Sequence, residues 1–338
     1  MENLTCSALY NKEQCNAFLI ARVVSSTLSI IGSLFLIFVI WLFRKYKRLL
    51  YRILLYIAIC SLLHCITLIV ADGNKSSDSI WCTVRGMSTQ FNAWALTMWQ
   101  VCITVHLYLS TMNIQADKWL ERVYNIMCWG VSIIASIIPL MFGKYGPAIT
   151  WCWISDHQWR VWAFYIEYVA LTILMFALYA KVVHTVLTLK PRWRERPTES
   201  NKYEVYKKRI RPMMLYPLVI LVVSVCPIAY RVHTFFHPDS ETSFVLALLH
   251  VISVPMWGLL FAVIYGIDPE TRQELSMLNI KATIRHRLYG GRIEEITVSE
   301  QHTRKTNTNN TSKGTTTERE ESSLSNISIE PSTVYPRA

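Results

Sequence analysis

Charge is what this sequence has least of. Only 17% of its 338 residues are Asp, Glu, Lys or Arg, while 52% come from the hydrophobic set, and mean hydropathy is +0.27. A soluble domain carries about 25% charged residues. The length would allow two such domains, but the composition argues against them. The few charges are also unevenly spread, gathering in loops between stretches of 19 or more residues that are almost free of them. A formal net charge of +11 would suit nucleic acid, yet no soluble region of domain size carries the basic patch this requires. Cationic loops facing an anionic leaflet explain the excess, so membrane lipid is the expected partner and nucleic acid is not.

Catalytic and metal-binding signatures are missing as well. The nine cysteines include no Cys-x-x-Cys and no mixed Cys/His ligand spacing. There is no Gly-x-Ser-x-Gly elbow, phosphate-binding glycine loop or His-Glu-x-x-His. An enzyme is not expected, and no cofactor or metal is implied. The last apolar segment has no lysine to anchor retinal through a Schiff base. Nor is there an internal repeat. Pro139, Pro217, Pro227 and Pro255 are unevenly placed, unlike the matched broken helices of many transporters. A transporter of a small polar solute remains the alternative from another functional class.

What the chain does have is apolar runs of spanning length. A hydrocarbon core about 30 Å thick needs roughly 20 apolar helical residues. Seven segments meet this: 18–43, 53–71, 82–109, 123–142, 161–189, 213–235 and 244–266. The expected fold is an all-α membrane protein, a seven-transmembrane helix bundle. Arg85, Gln90, Asn92, Gln100 and His106 interrupt the third segment, which suits a central helix shielded by its neighbours. Lysine and arginine then set the orientation. Five fall between residues 44 and 52, two (Lys118 and Arg122) follow span 3, and nine lie within 190–211. The opposite side has only Lys12, Lys75, Lys144 and Arg160. The basic loops should be cytoplasmic and the N-terminus outside.

Four regions follow. Residues 1–17 form a polar extracellular segment with no visible cleavable signal, so span 1 is expected to act as a reverse signal anchor. Residues 18–266 form the bundle. Residues 267–288 read as a short amphipathic cytoplasmic helix: Asp268 supplies an N-cap, Pro269 tolerates the first position, and Glu270 complements the dipole. Residues 289–338 form a Ser/Thr-rich tail expected to be disordered. Asn3 and Asn74 head glycosylation triplets on the outer side. Thr315, Thr316, Thr317, Ser322, Ser323 and Ser325 stand beside Glu318, Glu320 and Glu321, a setting for acid-directed phosphorylation and for an arrestin-like desensitising partner.

Outer-face cysteines can pair. Cys82 opens span 3 and Cys152 sits in the loop above it, so a bridge would tie that loop over the bundle mouth. Cys6 and Cys15 could form a second. Cys60, Cys65, Cys102, Cys128 and Cys226 fall within spans and read as packing residues. Polar groups at membrane depth are functional candidates, and aromatic residues gather with them toward the outer end. From this group Arg85, Gln90, Trp94, Trp153, Glu167 and Arg231 make a candidate ligand pocket with charges of both signs. The competing reading of the same residues is an interfacial aromatic belt with ordinary core packing.

Particular stretches carry a family resemblance. His106-Leu107-Tyr108-Leu109 ends span 3, and Trp151-Cys152-Trp153-Ile154 fills the outer loop. Span 6 reads Leu215-Tyr216-Pro217-Leu218-Val219 with Pro227 and Arg231, and span 7 has Pro255-Met256-Trp257-Gly258 and Val263-Ile264-Tyr265-Gly266. Together, over residues 18–288, these resemble G-protein-coupled receptors of the cyclic-AMP-receptor-like family, with a looser likeness to secretin-type receptors. The chain has His106-Leu107-Tyr108 where rhodopsin-like receptors carry Asp-Arg-Tyr, and span 7 lacks Asn-Pro-x-x-Tyr. Rhodopsin-like switch residues therefore do not carry over. The resemblance implies a plasma-membrane receptor that couples an unknown extracellular ligand to a heterotrimeric G protein. Span 6, with Pro217 and Pro227, is the expected moving element. Its displacement would open a cleft lined by His106, Tyr108, Lys207, Lys208, Arg209 and Arg211.

Overall fold

The computed structural model describes residue 6 and residues 10–70, 80–112, 114, 118–148, 151–195, 210, 213–236 and 243–289. The chain divides into two compact units, Met1–Thr283 and Ile284–Ala338. Helices α1 (Lys12–Leu42), α2 (Leu49–Ile69), α3 (Ile80–Thr111), α4 (Lys118–Met141), α5 (Ile166–Glu195) and α6 (Leu218–Phe236) follow one another. A seventh span is made by α7 (Phe244–Ser253) and α8 (Trp257–Ile267), which meet at a 60° bend. A one-turn helix, His157–Arg160, and a π-helical stretch, Val161–Tyr165, lead into α5.

Composition explains how these elements sit in a bilayer. Helices α1, α2 and α4, together with the stretch Gln158–Thr188, are each long and apolar enough to cross a membrane, and the bent pair makes a fifth such span. α3 is long enough at 32 residues but polar. It packs against α2, α4 and α5, so its Gln90, Asn92, Thr97 and Gln100 are buried by protein, where a polar helix is tolerated in lipid. α6 has 19 residues and no acidic or basic group before Arg231. This is a multi-pass, all-α membrane bundle.

Four local differences from the sequence expectations have physical causes. Span 7 is broken, because Pro255 has no N–H to donate and clashes with a continuing helix. α6 starts at Leu218, so Pro217 closes the preceding turn and Pro227 alone interrupts the helix. The outer loop forms a two-stranded hairpin, Tyr145–Ala148 (β1) with Trp151–Ile154 (β2). The helix expected at 267–288 comes in two pieces, α9 (Pro269–Glu274) and α10 (Met277–Tyr289). Asp268 does cap the first: its Oδ2 accepts from the Thr271 amide at 3.2 Å and the Thr271 hydroxyl at 3.0 Å. Ser276, a residue type favoured at N-caps, accepts the first amide bond of the second, from Ile280 at 3.0 Å.

The tightest seam lies between α1 and α8. A methyl group on Gly258 would stand 2.0 Å from Ser33 Oγ and 2.5 Å from the Ser29 carbonyl, and one on Gly32 would stand 2.7 Å from the Gly258 carbonyl. Only hydrogen fits, so the backbones meet as they do at small-residue crossings in membranes. The seam also absorbs polar groups that the break at Pro255 releases. The Gly258 amide donates to Ser29 Oγ at 3.0 Å, the Cys65 thiol donates to the Pro255 carbonyl, and Ser29 and Ser61 share a hydroxyl contact at 3.3 Å.

Candidate functional site

The site is built under the hairpin. Strand side chains alternate faces, so Cys152 turns toward α3 while Trp151 and Trp153 turn inward. Cys152 is bonded to Cys82 in the first turn of α3, and Cys6 is bonded to Cys15. Lys144 and Asp156 close the hairpin's base with an ion pair of 3.2 Å. Burial pushes the Asp156 carboxyl up. The Trp159 amide, the Lys144 ammonium and the Gln158 amide together outweigh this, and the group sits below the ordinary carboxylate value. Tyr145 donates to the Ser136 carbonyl at 2.8 Å, fixing the hairpin to α4.

Gln90 is the link between loop and bundle. Fully buried on α3, it accepts from the Trp153 indole at 2.6 Å and donates to the Ala163 carbonyl at 3.2 Å. Trp153 in turn meets Phe164 and Tyr165 edge-on, with centroids 5.3 and 5.9 Å apart. Below these rings lies a cavity of about 70 Å³, bounded also by His64, His250 and Trp257. Aromatic rings make up much of its wall, with the two imidazoles and the Thr89 and Thr97 hydroxyls as polar points. Drug-sized ligands occupy clefts of roughly 300–1,000 Å³, so the cavity as it stands is too small to hold one.

Two arginines lie close to these rings, and one of them, Arg231, borders a second, smaller cavity under the hairpin. Arg160 is 6% exposed; its Nη2 donates to the Ser155 carbonyl at 3.1 Å, while Nε and Nη1 are buried without partners. Arg231 donates from Nε to the Tyr165 hydroxyl at 2.8 Å, and its guanidinium lies 5.0–5.1 Å from the centres of the Tyr230 and Tyr165 rings. The two arginines lie within electrostatic reach of each other, and His250 within reach of both. Asp156 is the acid that acts on Arg160, and it is already engaged by Lys144. Buried charge is normally paired; Arg160 forms no ion pair among the described residues.

The pocket residues expected from sequence therefore separate. Trp153 and Arg231 border the cavities under the hairpin, and Gln90 holds Trp153 in place. Trp94 is buried one layer out, edge-on to Phe164 at 6.0 Å. Arg85 points away, donating to the Trp81 and Val70 carbonyls. Glu167 is exposed on the outer side of α5: Tyr165 and Tyr168 face inward, and a residue two positions from Tyr165 points to the opposite side. At the other end of the bundle, Tyr108 borders a groove between α3 and α5, while His106 is buried on a different side of α3. Lys207, Lys208, Arg209, Arg211, Asn3, Asn74 and the six tail Ser/Thr positions lie outside the described residues. Sequence reasoning missed Arg160, counted only as an outer-face cation, and the convergence of His64 with His250. The adjacency of Arg160 to the Trp-Cys-Trp hairpin was the available signal for the first; the second needed the packing of α2 against span 7.

Similarity to known proteins agrees with this architecture. Residues 9–267 match the family described as slime mold cyclic AMP receptor. The chain is 26% identical over 262 residues to cyclic AMP receptor-like protein A of Dictyostelium discoideum, covering 77% of this chain and 66% of that one, about two thirds of the relative's length. It is 22% identical over 261 residues to G-protein coupled receptor 1 of Arabidopsis thaliana, covering 74% and 78%. Squid rhodopsin shares the fold, with a TM-score of 0.59 at 13% identity over 82% of this chain and 86% of rhodopsin. A seven-helix membrane bundle, a bridged hairpin over an aromatic cavity and a family match across almost the whole bundle lead to one conclusion: the chain belongs to the cyclic-AMP-receptor-like family of G-protein-coupled receptors.

Proposed function

We propose that the protein is a plasma-membrane receptor, N-terminus outside, that couples an extracellular ligand carrying an anionic group to a heterotrimeric G protein. The observation that carries this is Arg160, a buried guanidinium with two unpartnered nitrogens, within electrostatic reach of Arg231, which borders a cavity under the hairpin. An unneutralised buried charge costs stability, and a ligand anion would remove that cost. Because the cavity is small, a ligand and this arrangement of the mouth cannot coexist. Binding therefore favours a second arrangement of the bundle, which signalling requires. On the cytoplasmic side we assign coupling to Tyr108 and the cations Lys207, Lys208, Arg209 and Arg211, with His106 supporting the α3 end. Phosphorylation of the tail from Thr315 to Ser325 and recruitment of an arrestin-like partner complete the reading, and Asn3 and Asn74 are the glycosylation positions.

The test is G-protein activation in cells, run across organic anions that include cyclic AMP, the compound in the family's name. Arg160→Gln or Arg231→Gln should reduce potency by about tenfold to a hundredfold, as expected for a lost charge-assisted contact of about 1.5–3 kcal/mol. Arg160→Gln should leave the ligand-free fold at least as stable, since it removes an uncompensated charge. Full potency in both variants at normal surface level would overturn the anion assignment. Solute flux without nucleotide exchange on a G protein would replace the receptor reading with a transporter.

A further inference from the structure

A second site lies at the other end of the bundle. Between α3 and α5 an open groove of about 310 Å³ is lined by Tyr108, Met112, Ala180, Lys181, His184 and Thr185. Lys181 and His184 are three residues apart on one helix face, both exposed, and neither has an acidic partner among the described residues. The groove opens outward: Met112 is 45% exposed, and Ile173 and Leu187 on the outer side of α5 are 63% and 67% exposed. Depth follows from helix rise. Trp162, 69% exposed beside the outer hairpin, precedes Lys181 by 19 residues, or about 28 Å of helix. That is close to the full hydrocarbon thickness of about 30 Å. Lys181 and His184 therefore stand at the headgroup level of the leaflet opposite the hairpin, with the apolar surface around Ile173 reaching into the acyl region above them.

From this geometry we infer that the α3–α5 groove binds an anionic phospholipid, its phosphorylated headgroup on Lys181, His184 and the Thr185 hydroxyl and an acyl chain along Met112 and the Tyr108 ring. Charge complementarity selects the occupant. The groove presents an ammonium, an imidazole and a hydroxyl without a carboxylate, and basic pockets between membrane helices on the cytoplasmic side hold such headgroups. The orientation proposed above identifies the leaflet as cytoplasmic; the chemistry of the groove does not depend on the receptor's ligand. Tyr108 belongs both to this groove and to the coupling surface assigned above, so a bound lipid would border that surface.

Native mass spectrometry of the full purified chain tests this without ligand or G protein, so its outcome is separate from that of the receptor reading. The probes are dioleoyl phosphatidylinositol 4,5-bisphosphate, dioleoyl phosphatidylcholine and soluble inositol trisphosphate. One bisphosphate lipid should be retained per chain in preference to phosphatidylcholine. Lys181→Gln should weaken retention about fivefold, and Lys181→Gln with His184→Gln should weaken it further. Lys118→Gln, a basic position outside the groove, should leave retention unchanged. Equal retention by the Lys181→Gln chain, or an equal loss in the Lys118→Gln chain, would overturn the site in favour of diffuse attraction. Displacement of the lipid by equimolar inositol trisphosphate would overturn the lipid in favour of a soluble anion.

Discussion

The middle of span 7 and the mouth under the hairpin are held in place by opposite means. At the α1–α8 seam the contacts are made by small residues, Gly32, Gly258, Ser29 and Ser61, and the released backbone groups find partners. At the outer mouth the contacts are large rings around Trp153, fixed by one buried amide and a covalent bridge, with unpartnered nitrogens left on Arg160 and His64. A close-packed seam has one arrangement, because nothing can enter or leave it. A mouth of rings and unsatisfied polar atoms would have a reason to rearrange under the proposed function, because an anionic ligand would give a better-paired state.

The largest expected effect is therefore at the seam. Gly258→Ala should cost about 3 kcal/mol or more, at the upper end for overpacking, and lower the yield of folded receptor in fluorescence-detected size-exclusion. Gly130→Ala is the control, since nothing lies within 4 Å of the added methyl. It should be neutral or stabilise by about 0.5–1 kcal/mol, as expected for Gly replaced within a helix. If the two behave alike, the seam is not the rigid element. Next is Cys152→Ser. Losing a bridge between residues 70 apart should cost about 2–4 kcal/mol. It should raise hydrogen exchange in residues 144–156 while the α1 and α8 amides near Ser29 and Gly258 keep their protection. Exchange that rises equally at the seam would erase the distinction between the regions.

A smaller effect belongs to Trp153→Phe. It keeps a ring but leaves Gln90 Oε1 without its donor, costing about 1–3 kcal/mol, and should change ligand response more than thermal stability. Unchanged response would place Gln90 in packing alone. The smallest belongs to Asp156→Asn, about 0.5 kcal/mol for a half-buried ion pair at the rim of the fold. The Asp156 carboxyl lies below its ordinary value, so its contribution is present above that value and fades as pH falls through the lowered one. Wild type should lose hairpin protection only below about pH 4, and the Asn chain should show no such step in pulse-labelled exchange.

Much of this was legible in the sequence. Apolar length located the helices, with ends off by up to six residues, because lipid leaves no alternative for the backbone. The outer cysteines and Trp153 were found because a loop between two spans has few places to go. The rest depended on rotation and contact. Glu167 was placed by depth, which does not fix which side of a helix faces the protein. Pro217 and Pro227 look alike in sequence, yet one ends a turn and the other interrupts a helix. His64 and His250 are separated by most of the chain, and only packing brings both to one cavity. Arg160 became notable when its surroundings proved buried.

The broken seventh span bears on how the protein is made. α7 has 10 residues and α8 has 11, about 15 and 17 Å of helix, so neither half alone crosses a core of about 30 Å. At the break, the Gly258 amide and the Pro255 carbonyl are satisfied by Ser29 on α1 and Cys65 on α2, segments that leave the ribosome long before span 7. Left facing lipid, each of those groups would cost several kcal/mol. The broken span therefore depends for its backbone pairing at membrane depth on α1 and α2, both already made when it emerges.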